Sequence, residues 1–226
     1  MQLAIDTSTD TASLALVQAR EVLAELTWRC GQNHSTQLLP NLSHLLKQTE
    51  LSLQAANCVI VARGPGSYNG LRVGISTAKG LAYSLDIPII GVSTLEVAAY
   101  PQAERGLPIC PIFNAGRGEI TTALYQMKGN EWCQLTAEHI TTVATLCSQI
   151  KSPTVFCGEF LPSIKELLKK ELKQRAVIPT PAAGLRRASF LAELGLKRFE
   201  AGDYDNPATL QPLYLRSPAI TQPRQR

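Results

Sequence analysis

The sequence predicts an α/β protein built as two lobes, and three observations carry that reading. Short apolar, β-rich runs alternate with longer stretches of helical periodicity, as in crossover units. Both halves of the chain follow one order, strands first and a helix after, on either side of a Pro- and Gly-containing seam at 101–108. With 226 residues and 45% hydrophobic side chains, the chain can bury one large core or two small ones. The seam divides it into an N-terminal lobe, 1–104, and a C-terminal lobe with an extended tail, 105–226.

Residues 2–7, 12–17 and 22–28 are apolar and β-rich, separated by the turn-forming Ser8-Thr9-Asp10 and Arg20-Glu21. Connections this short predict an antiparallel meander. A helix follows over 35–49, where Leu38, Leu39, Leu42, Leu45 and Leu46 form one broad stripe. Ser35 or Thr36 is placed to cap it, and Pro40 then demands a late start. Residues 58–63 read as a buried strand that runs into Gly64-Pro65-Gly66-Ser67-Tyr68-Asn69-Gly70 and a helix ending near Leu85. A strand at 88–92 leads to a short helix capped by Ser93 or Thr94, with Glu96 in its first turn. Beyond the seam, strands are expected at 109–114, 119–126, 131–136 and 154–157, and helices at 141–150, 161–174 and 189–201. The segment 179–184 is a Pro- and Gly-containing connector, and 211–216 with 221–226 reads as a tail that frays.

Lys and Arg number 22 against 18 Asp and Glu, a net charge of +4 scattered along the chain. That balance suits an anionic partner without demonstrating nucleic-acid binding. Six cysteines, at 30, 58, 110, 133, 147 and 157, include no Cys-x-x-Cys pair, and three stand in strand-like runs, so reduced core thiols are expected. Asp6 interrupts the opening apolar run and no basic leader precedes it, which argues against a signal peptide. The longest apolar stretches fall far short of the roughly 20 residues that span a bilayer. The expectation is a soluble, cytoplasmic protein.

Two segments could carry chemistry. Asp6, followed by the small hydroxyl residues Thr7 and Ser8 at a strand end, could face a metal-bound phosphate. The alternative is a hairpin turn whose Asp satisfies backbone donors. The glycine loop at 64–70, with Gly64, Gly66 and Ser67 before a helix, allows close approach of an anion to the helix N-terminus. It is neither a P-loop, lacking Gly-Lys-Ser/Thr, nor a dinucleotide fingerprint, and a tight structural turn remains open. His34 lacks a metal-binding partner one turn on, where Leu38 stands; His44 lies further along the same helix and about 80° round it, and His139 is isolated. No structural metal is expected. Ser67 lacks the frame of a nucleophile elbow, and no histidine is placed to act as its base.

Residues 64–74 read Gly-Pro-Gly-Ser-Tyr-Asn-Gly-Leu-Arg-Val-Gly. Together with Ile5-Asp6-Thr7-Ser8, His34-Ser35-x-x-Leu38-Leu39-Pro40 and Gly91-Val92-Ser93-Thr94-Leu95-Glu96, this pattern resembles the TsaB (YeaZ) family, partner subunits of the bacterial tRNA threonylcarbamoyladenosine synthase. The likeness is dense over 1–100 and thinner beyond, where Asn114-Ala-Gly-Arg-Gly-Glu119 and Pro212-Leu-Tyr-Leu-Arg216 carry it. The resemblance implies an actin/hexokinase/Hsp70-like (ASKHA) fold with two ribonuclease-H-like sheets. It also implies a noncatalytic scaffold acting with a TsaD-like catalytic subunit and a TsaE-like ATPase on the adenosine beside the anticodon of tRNAs reading A-starting codons. An isolated chain of this kind is expected to form a homodimer. tRNA contact would come through the complex, with Arg216, Arg224 and Arg226 contributing.

Several residues bear on that reading. Leu38 stands where the TsaD-like sister has its second metal-binding histidine, and Asn114 where the family commonly has Asp. Gly158-Glu159-Phe160 stands where an active ATPase of this superfold would carry a glycine-rich phosphate turn. Nucleotide binding is therefore expected to be weak at most, or confined to a subunit interface, with Asp6, Thr7, Ser8, Gly64, Gly66 and Ser67 as a vestigial phosphate loop. The partner surface is expected on the two N-terminal helices. Leu71, Ile75, Ala78, Ala82 and Leu85 would pack on the sheet; Val73, Thr77, Gly80, Leu81 and Ser84, with Leu38, Leu39, Leu42, Leu45 and Leu46, would meet the partner. The alternatives are an autonomous ATP-dependent phosphotransferase of the same superfold and a peptidase.

Overall fold

Two five-stranded sheets, one from each half of the chain, carry the fold in the computed structural model, which describes residues 1–216. In the first, β1 (Gln2–Asp6), β2 (Thr11–Gln18) and β3 (Glu21–Arg29) form the antiparallel meander that short turns dictate. Helix α1 (His34–Gln48) and helix α2 (Tyr68–Leu85) provide the crossovers that let β4 (Cys58–Ala62) and β5 (Ile89–Val92) join in parallel, giving the order β3-β2-β1-β4-β5. A short helix α3 (Thr94–Ala99) and a 3-10 turn over Tyr100–Arg105 lead across. The second sheet repeats the plan: β6 (Ile109–Gly116), β7 (Glu119–Lys128) and β8 (Glu131–Thr142) are antiparallel. After α4 (Val143–Gln149), β9 (Thr154–Cys157), α5 (Leu161–Leu172) and β10 (Ala176–Val177), its order is β8-β7-β6-β9-β10. Helix α6 (Ala188–Glu200) closes the described elements.

Every residue of β1, β4 and β5 is buried because both faces of the first sheet are covered. Leu3, Ile5, Val59 and Val61 meet α1 and α2; the alternate residues Ala4, Cys58 and Ile60 meet α6. Helix α6 follows the second sheet in the chain yet packs on the first. Gly195 lets it come close, since a Cβ there would lie 2.4 Å from Ile60 Cγ2. In the second sheet, Cys110, Ile112 and Phe156 pack against α4 and α5, and Ile109, Phe113 and Val155 against α3. All six cysteines are free thiols, and burial pushes those of Cys58 and Cys110 up to about 12, leaving them protonated and inert. Among the described residues, no helix is long and apolar enough to cross a membrane.

Four local expectations are corrected. Helix α1 starts at His34, before Pro40, and Asn33 rather than Ser35 or Thr36 stands at its N-cap. Pro40 and Thr36 are both exposed, so the carbonyl that proline leaves without a donor can turn to water. Strand β8 continues to Thr142 instead of stopping near 136, because β7 is long enough to pair with it up to Glu119. The short β10 went unread: two half-buried residues carry no period. The tail does not fray over 211–216. The Leu213 N–H donates to the Arg63 carbonyl at 2.6 Å, Tyr214 stacks on Tyr68 with ring centroids 5.5 Å apart, and Arg216 pairs with Glu119. Residues 221–226, with Arg224 and Arg226, lie outside the described residues.

Candidate functional site: an arginine-filled cleft

Strand β1 delivers Asp6 to the base of a cleft between the lobes, fully buried. Its Oδ1 accepts from the Ser8 N–H at 2.9 Å and the Ser8 hydroxyl at 2.7 Å. Its Oδ2 is ion-paired with Nη1 of Arg186, whose side chain is 2% exposed. Nη2 of Arg186 donates to Thr9 Oγ1 at 2.6 Å, Glu159 Oε1 at 2.8 Å and the Thr11 carbonyl at 3.2 Å. Burial lowers the Arg186 pKa to about 9, which leaves it cationic at neutral pH. The guanidinium therefore stands in front of Asp6 where a bound cation would neutralise it. Beside it opens a cavity of about 670 Å³ lined by Asp10, Arg29, Gly158, Lys165 and Pro181 among others.

One cation serves two carboxylates here, and Asp6 holds the deeper position. Burial pushes Glu159 up to about 7 from an ordinary 4.5, against the pull of its hydrogen bond from Thr9. Between those values the folded state binds more protons than the unfolded one, so this group's contribution to stability falls as pH rises from about 4.5 to 7. Glu159→Gln is expected to flatten that slope. Urea midpoints of both proteins at the two ends of the window check it, and an unchanged slope would contradict the assignment.

The glycine loop is pressed onto the β1–β2 turn. A Cβ on Gly66 would lie 2.1 Å from the Ser8 carbonyl oxygen, one on Gly70 2.1 Å from that of Thr7, and one on Gly74 2.3 Å from Thr7 Oγ1. The Ser67 N–H donates to the Ser8 carbonyl at 2.7 Å, Gly70 N–H to Ser67 Oγ at 3.3 Å and Gly64 N–H to Thr94 Oγ1 at 3.1 Å. Of these glycines only Gly64 has positive φ, +109°; the others serve close approach. Thr7 ties the same elements together by donating to the Gly70 carbonyl at 2.8 Å. His34 lies buried with Nε2 2.7 Å from the Thr9 carbonyl oxygen, which anchors the turn.

At the other end of the cleft, a Cβ on Gly158 would lie 2.5 Å from the Ile112 carbonyl, and Phe160 packs into the second lobe's core. Asn114 is exposed and accepts from the Gly116 N–H at 2.8 Å. The structure thus brings Asp6, Thr7, Ser8, Gly64, Gly66 and Ser67 together, and adds Thr9 and Arg186. Arg186 had no sequence signal beyond being a charge next to a Pro-rich connector, 180 residues from its partner.

The leucine stripe of α1 is corrected. Leu38, Leu42 and Leu45 are buried in this chain's own core against α2 and the first sheet, so they present no surface to another protein. Leu46, Val73 and Leu81 are half-buried against the same core. Leu39 at 53% exposure, Gly80 and Ser84 face outward, with Thr77 partly so; Tyr83, at 63%, joins them.

The family model for TsaD, tRNA N6-adenosine threonylcarbamoyltransferase, matches residues 28–220. A Bacillus subtilis (strain 168) protein described as tRNA threonylcarbamoyladenosine biosynthesis protein TsaB is 39% identical over 218 residues, covering 95% of this chain and 93% of the relative. The chain belongs to the TsaB family. The Escherichia coli (strain K12) TsaB is 36% identical over 130 residues, 57% of this chain and 56% of that one. Among solved structures, YeaZ from Pseudomonas aeruginosa superposes with a TM-score of 0.74 at 22% identity, covering 94% of this TsaB-family chain and 99% of that one. A ROK hexokinase from Thermus thermophilus follows at 0.52 and 10% identity, covering 86% and 98%. At such identities the likeness is one of fold, and that fold is ASKHA-like.

Proposed function

We propose that this chain is a noncatalytic scaffold and activator in tRNA threonylcarbamoyladenosine biosynthesis, the pathway for which its TsaB relatives are named. In this reading it works in the cytoplasm with a TsaD-like catalytic subunit and a TsaE-like ATPase, on tRNAs reading A-starting codons. The observation that carries the noncatalytic part is Arg186. A phosphotransferase of this superfold needs its first-strand acid free to hold a metal-bound phosphate, and here that acid is closed by an internal guanidinium. The glycine loop points the same way, because its close approach is already taken by Ser8 and Thr7. Purified full-length chain with Mg-ATP should show only background turnover, while co-expression with its TsaD-like partner should support tRNA modification. Turnover by the isolated chain that disappears in Asp6→Asn would overturn the reading.

The outward face of α2 is the docking surface in this proposal, for the TsaD-like subunit or, in the isolated protein, for a second copy. Thr77, Gly80 and Ser84 are small enough for a partner helix to approach within the 8–10 Å of packed helix pairs. Leu39 and Tyr83 would supply apolar anchors. Gly80→Glu should leave the monomer folded, since a Cβ there meets nothing within 4 Å. In the complex it would bury an unpaired charge. Co-purification with the partner should fall at least tenfold while circular dichroism shows the isolated chain still folded; undiminished co-purification would place the interface elsewhere.

A further inference from the structure

A second cavity, of about 600 Å³, opens where the end of β5, helices α3 and α6 and the β7–β8 hairpin converge. It shares no lining residue with the cleft at Asp6. Its lining carries three cationic side chains, Arg63, Lys197 and Arg198, and three acidic ones, Glu96, Glu131 and Glu138. Two of the cations are committed elsewhere. Arg198 is held by Asp203, Asp205 and the Gly91 carbonyl, and Lys197 donates to the Tyr100 hydroxyl at 2.8 Å. Arg63 is not: its Nε is shielded from solvent without a partner, and none of the ion pairs among the described residues includes it.

Across the same space, Glu96 accepts a hydrogen bond from Trp132 Nε1 at 3.2 Å, is in no ion pair among the described residues, and feels the charges of Arg198 and Arg63. Burial pushes its carboxyl pKa upward, the cost of desolvating the charged form. Ser93, 5% exposed, lines the cavity beside the Tyr125 hydroxyl and Glu138, within hydrogen-bonding reach of both. The Tyr125 and Trp132 rings stack at 5.6 Å and 3°, forming a flat wall. A guanidinium whose Nε lacks a partner and a desolvated carboxylate therefore line one half-open volume, which offers a ligand one charge of each sign.

We infer that this cavity binds a small zwitterion of the free amino-acid type, with Arg63 taking its carboxylate and Glu96 its ammonium. The guanidinium fork suits a carboxylate in bidentate geometry. The ammonium would pair with the Glu96 carboxylate. A ligand of single charge satisfies one side and leaves the other bare. The volume lies in the range of small-molecule sites, about 300–1,000 Å³. The site is independent of the proposed subunit role.

The test uses the full chain and each of the twenty L-amino acids at about 10 mM in thermal shift, followed by calorimetric titration of those that raise Tm. At least one should bind with one-to-one stoichiometry. Arg63→Gln and Glu96→Gln should each weaken it tenfold or more, and acetate or methylammonium alone should bind at least tenfold less tightly than the best amino acid. If either variant does not fold, Ser93→Ala takes its place and should also weaken binding. No binding by any amino acid, acetate binding as tightly as the best of them, or unchanged affinity in the variants would overturn the inference.

Discussion

Arg186→Met should lower the free energy of unfolding by roughly 3–5 kcal/mol, the range for removing one partner of a buried ion pair. The side chain is 2% exposed and Asp6 is fully buried, so losing the guanidinium strands a buried carboxylate. Methionine keeps much of the apolar stem, which confines the change to charge and hydrogen bonding. Three acceptors besides Asp6 would each lose one donor: Thr9 Oγ1, Glu159 and the Thr11 carbonyl. A loss of this size is comparable with the whole stability of a marginal domain, so the variant should be largely unfolded near body temperature. The double variant Asp6→Asn/Arg186→Met should recover a substantial part, because the stranded charge is gone. Urea unfolding of the four proteins in the cycle measures this. Equal midpoints for wild type and Arg186→Met would mean that the pair does not form in solution.

Alanine at Gly66 or Gly70 is expected to be comparably damaging, at about 3 kcal/mol or more, at or beyond the upper end for overpacking. In each case the added Cβ would meet a backbone carbonyl 2.1 Å away, on Ser8 or Thr7, and no side-chain rotation relieves it. Either the β1–β2 turn or the start of α2 must move, and both are tied down by Thr7 and Ser67. Gly80→Ala is the matched control: it lies in the same helix with nothing within 4 Å. There the change should stabilise by up to about 1 kcal/mol through helix propensity. If Gly66→Ala and Gly80→Ala melt alike, the close approach of loop and turn is not part of the folded state.

These substitutions also mark where reading the sequence succeeds. The three opening strands and the β9 segment at 154–157 were legible as short apolar, β-rich runs bounded by turn-forming residues, and the crossover helices by the helical period of their apolar residues. The glycine loop was legible as a place of close backbone approach, and Asp6 as an acid at a strand end. What approached the loop was not: Ser8 and Thr7, from a turn some sixty residues earlier, fill the space that an anion could equally have used.

Local pattern also fixed which residues of α1 share a face, and it left open what covers that face. Leu38, Leu42 and Leu45 repeat at helical spacing whether they meet a partner protein or their own sheet. Only the packing of α1 against α2 and β2 decides for the sheet and leaves Leu39 outside. Arg186 is the extreme case, since its meaning depends on a pairing across 180 residues. The sequence by itself determined most of the elements and their order, the two-lobed plan and the family, and it missed β10 and the full length of β8. The tertiary structure alone decided that a guanidinium closes the cleft and that the leucine stripe faces inward. Periodicity and turn chemistry are properties of neighbouring residues, whereas which charge meets which, and which surface stays wet, depends on chain segments brought together only by folding.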